Sequence, residues 1–193
     1  MHLHELEHVL RAAKGATGER EFVIIGSQAV LALFPDAPRF LTYSDELDIY
    51  PLNSPEKSDL IDGTIGERSQ FHDTFGYYAH GVGPETATLP LLWRARAVRY
   101  ESDATGGAIA HCLHPVDIAY SKLAAGREKD TAYVGELIRC GLIKAGAIKE
   151  LIAKETSNPA LGGLLMERLE VALNKSRSPA VPEGYAARDA RSS

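Results

Sequence analysis

The sequence predicts an α/β fold: a mixed β-sheet with flanking helices over residues 1–114, followed by a C-terminal bundle of helices over 115–175. Three observations lead there. Short β-branched and aromatic runs alternate with helix-period segments in the first part of the chain. After Pro115 the helix-period segments follow one another without such runs. The 193 residues, 45% hydrophobic and 24% charged, suffice for a core that needs no covalent staples.

Taken in order, Leu3, Leu6, Val9, Leu10 and Ala13 recur at helical spacing, and Gly15 and Gly18 end that helix. Glu21-Phe22-Val23-Ile24-Ile25 reads as a buried strand closed by a turn at Gly26-Ser27. Residues 28–34 suit a short helix stopped by Pro35 and Pro38. A second strand spans 46–50 and ends at Pro51. Ser54-Pro55-Glu56 then reads as an N-cap, a proline at the first helical position and an acidic first turn, opening a helix to about Ile65. Strand-like pieces at 77–82, 96–101 and 108–113, separated by glycine-rich and acidic turns, complete the sheet. Helices follow at 115–125, 127–140, 145–155 and 158–174. Residues 176–193, a mixture of Ser, Pro, Arg and Ala without periodicity, read as a disordered tail.

Composition narrows the function. A formal net charge of -5 argues against sequence-blind gripping of long nucleic acid, although a local basic groove is compatible with it. Cys112 and Cys140 stand apart, match no metal-ligand spacing and suggest no disulfide framework, which fits a reducing cytoplasm. No run approaches the roughly 20 apolar residues of a membrane helix, and Glu5 and Glu7 do not suit a signal peptide. The expectation is a soluble cytoplasmic protein with no membrane partner.

Two segments carry candidate chemistry. At Gly26-Ser27 a glycine admits a close approach to the main chain, a following helix start offers amide N–H groups, and Ser27 adds a hydroxyl donor. That pattern suits a phosphate, and it is also a common strand-to-helix turn. In Ser44-Asp45-Glu46-Leu47-Asp48-Ile49, alternation along a strand projects Glu46 and Asp48 to one side and Leu47 and Ile49 to the core. Cα atoms two residues apart stand roughly 6–7 Å from each other, so the carboxylates can share a hard cation. The alternative is a solvated polar face. Asp45 points the other way and is excluded from the pair. Together, a phosphate-holding turn and a carboxylate pair some twenty residues later suit Mg2+-assisted transfer at an α-phosphorus, with Mn2+ able to replace Mg2+.

The pattern of a GS turn followed by an acidic pair on the next strand resembles the DNA polymerase β-like nucleotidyltransferase superfamily. The stretches GSQAVLALFPDAP, SDELDIYP, FGYYAHGVGPETATLP, TGG with CLHPVDIAYSKLAAGREKD, and IRCGLI, spanning 22–143, resemble an uncharacterised bacterial family of nucleotidyltransferase-like proteins within it. The resemblance implies a nucleotidyltransferase-like fold, binding of a nucleoside triphosphate and Mg2+, Gly26 and Ser27 at the turn, and Glu46 and Asp48 as the metal pair. Glu46 stands where the superfamily more often has Asp. Its usual third acidic residue has no clear counterpart, Glu85 being the candidate; without one, a single metal or a weakened site is favoured.

Residues 117–130 resemble the lysine and downstream aspartate of toxin nucleotidyltransferases related to abortive-infection systems. That likeness implies Lys122 on a triphosphate oxygen and Asp130 positioning or deprotonating the acceptor. Arg127 suits a bidentate phosphate contact. Lys122 and Lys129, seven apart, share a helix face if Gly126 does not break it. The same residues also fit a solvated helix face with ion pairs such as Arg127 with Asp130.

His4 and His8 have i,i+4 spacing but nothing nearby to complete a metal site, so a surface cluster is expected; His80, on a strand near the site, could touch substrate. The expected activity is transfer of a nucleoside monophosphate to RNA (tRNA included), protein or a small molecule. A toxin–antitoxin or phage-defence setting with a cognate antitoxin goes with it. The alternative is a catalytically inactive nucleotide-binding or protein-interaction module with the same fold.

Overall fold

The computed structural model describes residues 1–177 and is a mixed α/β structure, mostly helical, with one five-stranded sheet. Helix α1 (Leu3–Thr17) buries Leu6, Val9, Leu10 and Ala13 along one face. It runs through Gly15 and stops at Gly18, whose φ of 72° terminates the helix. Strand β1 (Glu21–Ile24) is apolar and fully buried after Glu21, as a central strand covered on both faces must be. The segment after it is a six-residue 3-10 helix, Ser27–Ala32, in place of the α-helix expected at 28–34. Short connectors squeezed between a turn and prolines commonly tighten in this way.

A one-turn helix α2 (Arg39–Thr42) leads into β2 (Glu46–Pro51), which takes Pro51 as its last residue. A 3-10 turn at Pro55–Lys57 precedes α3 (Ser58–Ile65), and the Ser54 side chain makes no capping bond. Helix α4 (Gln70–Phe75) has no counterpart in the sequence expectations; Ser69 caps it by accepting from the His72 N–H at 3.2 Å. Strand β3 (Tyr78–Gly81) follows. The strand expected at 96–101 is shorter: a turn of helix, α5 (Trp93–Arg96), precedes β4 (Val98–Tyr100). Strand β5 (Ile109–Cys112) completes the sheet.

The strand order is β3-β2-β1-β5-β4. The pairs β1/β2 and β4/β5 are antiparallel, whereas β1/β5 and β2/β3 are parallel. Helices α6 (Pro115–Ala125), α7 (Glu128–Arg139), α8 (Ala145–Glu155) and α9 (Pro159–Arg177) pack on one another. Residues 176 and 177 continue α9 instead of opening the tail, and 178–193 lie outside the described residues. One hydrophobic cluster joins the two halves, from Phe22, Leu47 and Ile49 in the sheet to Ile118, Leu123 and Val134 in the helices. Arg96 ties α5 to α6 and α8 by pairing with Asp117, which is fully buried, and with Glu155. Among the described residues, no helix is long and apolar enough to cross a membrane.

Candidate metal and nucleotide site

Burial along β2 alternates as the sequence implies: Leu47 and Ile49 enter the core, while Glu46 and Asp48 are half-buried on the opposite face. Strand β3 lies parallel beside it, in a register that sets Tyr78 against Glu46 and His80 against Asp48. Side chains two apart share a face on both strands, so four polar groups meet. The His80 Nδ1 is 2.9 Å from Glu46 Oε1 and 3.1 Å from Asp48 Oδ1. The Tyr78 hydroxyl donates to Glu46 Oε2 at 3.1 Å. One donor atom from each of Glu46, Asp48 and His80 lies within 4.8 Å of the other two, a spacing that could hold a metal ion.

Charge is crowded here. Burial, and then the negative charge of Glu46, push the Asp48 carboxyl above its usual range. Burial alone would lower His80, but its hydrogen bond to Asp48 and the charges of Glu46, Asp48 and Asp62 outweigh that and raise it. Burial and Glu46 push the Tyr78 hydroxyl up to about 12. A cation among these groups would offset the repulsion between the two carboxylates.

Gly26 abuts the same carboxylate. Its φ of -82° is open to any residue, so the need for glycine is one of space. A Cβ at this position would stand 2.2 Å from Asp48 Oδ2. Above the turn, the Tyr133 hydroxyl of α7 donates to the Ser27 carbonyl at 3.0 Å, fixing Ser27 to the helical half.

Facing the carboxylates is a basic wall. Helix α6 ends at Gly126 in the left-handed region, φ 69°, and α7 starts at once. Lys122 and Lys129 therefore do not share one helix face, yet both line the same cleft. Asp130, only 1% exposed, organises this wall. It accepts from Arg127 Nε at 2.6 Å and from the Arg127 backbone N–H at 3.3 Å, and it pairs with Lys122 Nζ at 3.4 Å. Burial would raise its carboxyl, but Arg127 and Lys122 hold it below the usual range. A carboxylate with its oxygens so engaged suits the positioning of two cations better than the uptake of a proton. The Lys122 ammonium also lies 5.5 Å from the Tyr133 ring centroid.

The two walls enclose a cleft of about 1030 Å³. Gly26, Ser27, Glu46 and Asp48 line one side, and Lys122, Arg127 and Asp130 line the other. Phe40 and Tyr43, 49% and 55% exposed, stand at its margin, and Asp45 lines it outside the three-residue donor cluster. Glu85 is exposed on the 3-10 turn Pro84–Thr86 and is not part of that cluster; the third donor is His80. The surface cluster expected to include His8 does not do so: His4 is exposed, but His8 is half-buried. It packs edge-on against Phe75, with ring centroids 4.6 Å apart, and bonds to the Tyr77 hydroxyl at 2.8 Å. The Tyr78-Ala79-His80 alternation was visible in the sequence, but nothing local says which strand lies beside it. Comparison with protein-family models, with curated proteins and with solved structures found no match to the chain.

Proposed function

We propose that this protein is a divalent-cation-dependent nucleotidyltransferase that moves a nucleoside monophosphate from a nucleoside triphosphate to an acceptor hydroxyl. The observation carrying this reading is that groups from three distant segments converge on one cleft, with a cation-ligand set on one wall and Lys122 and Arg127 on the other. The residues fit the ion: two carboxylates and an imidazole converge, and the negative charge of Glu46 helps to raise the Asp48 carboxyl although His80 partly offsets it. Glu46, Asp48 and His80 would hold it, and it would supply charge neutralisation at the phosphate oxygens.

The acceptor hydroxyl gives its proton to solvent water as its oxygen bonds to the α-phosphorus, the bond to the bridging oxygen breaks, and pyrophosphate leaves with the electron pair. Lys122 and Arg127 neutralise the triphosphate oxygens, and Asp130 holds both cations in place. Ser27 and the turn backbone lie where a phosphate would approach Asp48. RNA such as tRNA, a protein or a small molecule fits as acceptor, and a toxin held in check by a cognate antitoxin is the corresponding setting.

Catalytic idleness with retained nucleotide binding is the second reading. It is favoured by the engaged Asp130 and by a donor cluster with only two carboxylates among the described residues. Thermal unfolding with each ribonucleoside triphosphate, with Mg2+ or Mn2+, tests the site. One nucleotide should raise the melting temperature in a metal-dependent way, through a stabilisation of about 2.7 kcal/mol at a hundredfold excess over Kd, and Asp48→Ala should abolish the shift. No shift with any triphosphate in the folded protein would sink the reading, whereas binding without labelled transfer to any acceptor would select the idle module.

A further inference from the structure

We propose that the Glu46–Asp48–His80 set selects a first-row transition-metal dication, of which Mn2+ is the probe, over Mg2+. The inference rests on the reading above for the cleft being a cation site, and it goes further by assigning the class of ion. Mg2+ takes oxygen ligands almost exclusively and gives up water reluctantly. An imidazole nitrogen suits transition-metal ions, and carboxylates suit Mn2+ as well as Mg2+. A donor set of two carboxylates and one imidazole therefore separates the two classes through its nitrogen.

The placement of that nitrogen is specific. Donors at right angles around an octahedral ion, each bonded at about 2.1 Å, stand roughly 3 Å apart. The His80 Nδ1 stands 2.9 Å from one carboxylate oxygen and 3.1 Å from the other, so it fits a ligand corner shared with both. The pairing of β3 with β2 fixes this position through the backbone. The His80 side chain is 48% exposed, which leaves the ion's remaining positions open to water and to phosphate oxygens.

The test uses the full chain and the metal alone. Mn2+ binding is followed by loss of the free-ion electron paramagnetic resonance signal, with Mg2+ titrated as competitor, in wild type, His80→Ala and His80→Asp. Wild type should bind Mn2+ and require at least about tenfold more Mg2+ to displace it. His80→Ala should weaken Mn2+ binding by at least the roughly 10- to 100-fold typical of a lost outer-shell partner, with Mg2+ affinity far less affected. His80→Asp should shift the ratio toward Mg2+. Bound Mn2+ in wild type should show coupling to an imidazole nitrogen, a readout that stands even if a variant fails to fold. Mn2+ bound without nitrogen coupling, or an Mn2+/Mg2+ ratio equal in all three proteins, overturns the inference and leaves the nucleotidyltransferase reading standing. Failure to bind either ion, alone or with a non-hydrolysable triphosphate, overturns both.

Discussion

Gly26 and Asp48 form the tightest joint between the turn and the donor cluster. In Gly26→Ala a methyl group would meet the Asp48 carboxylate at 2.2 Å, and one of them must move. We expect a loss of about 1–3 kcal/mol in urea unfolding, together with weakened metal binding. Adding Asp48→Ala should return part of the stability, because the two changes share one contact. Fully additive losses would show that the contact is not the cause. Asp130 makes a second, pH-dependent prediction. Its carboxyl is held below the ordinary value near 3.9, so its pairing stabilises the fold above that pH and is lost as pH falls through the lower, folded-state value. Stability measured from pH 7 to pH 3 should therefore drop more steeply in wild type than in Asp130→Asn. At pH 7 the variant should be weaker by about 1–3 kcal/mol.

Helix α7 serves the site from a distance. Tyr133 reaches from it to the Ser27 carbonyl, and its ring lies under Lys122. Tyr133→Phe keeps the ring and removes the hydrogen bond. The expected result is a stability loss of about 0.5–1.5 kcal/mol and weaker triphosphate binding, with Mn2+ affinity unchanged. Equal nucleotide affinity in the variant would mean that the turn holds its shape without α7. Periodicity made the helices legible: α6 and α8 occupy the residues their apolar spacing marks out, and α7 and α9 depart by only a few residues at their ends. Short elements were not legible. One-turn helices such as α2 and α5 present too few residues for a period, and the 3-10 form of 27–32 depends on what it packs against.

Across the whole molecule, long-range pairing decides what the sequence hides. The alternation that puts Glu46 and Asp48 on one face is a property of four consecutive residues and can be read directly. That His80 completes the cluster depends on β3 adding in parallel to β2 across more than twenty-five intervening residues, which no local pattern encodes. The helical half is held to the sheet half by the shared core and by the Arg96 ion-pair group. Because Asp117 is fully buried, removing its partner leaves an uncompensated charge. Arg96→Ala should then reduce stability by about 3–5 kcal/mol, measured by denaturant unfolding. A change within 1 kcal/mol would show that the shared core alone holds α6 and α8.

The double duty of Asp130 bears on how diverging copies of this chain are to be judged. It starts a helix as well as aligning Lys122 and Arg127, so even a copy without the proposed activity would be penalised for losing it. Gly26 is under the same constraint for as long as Asp48 fills its flank. Persistence of these two residues in a lineage consequently reports on foldability. His80, whose side chain is 48% exposed, carries no such structural duty, so on the proposed reading its retention in a lineage would report on the site and not on the fold.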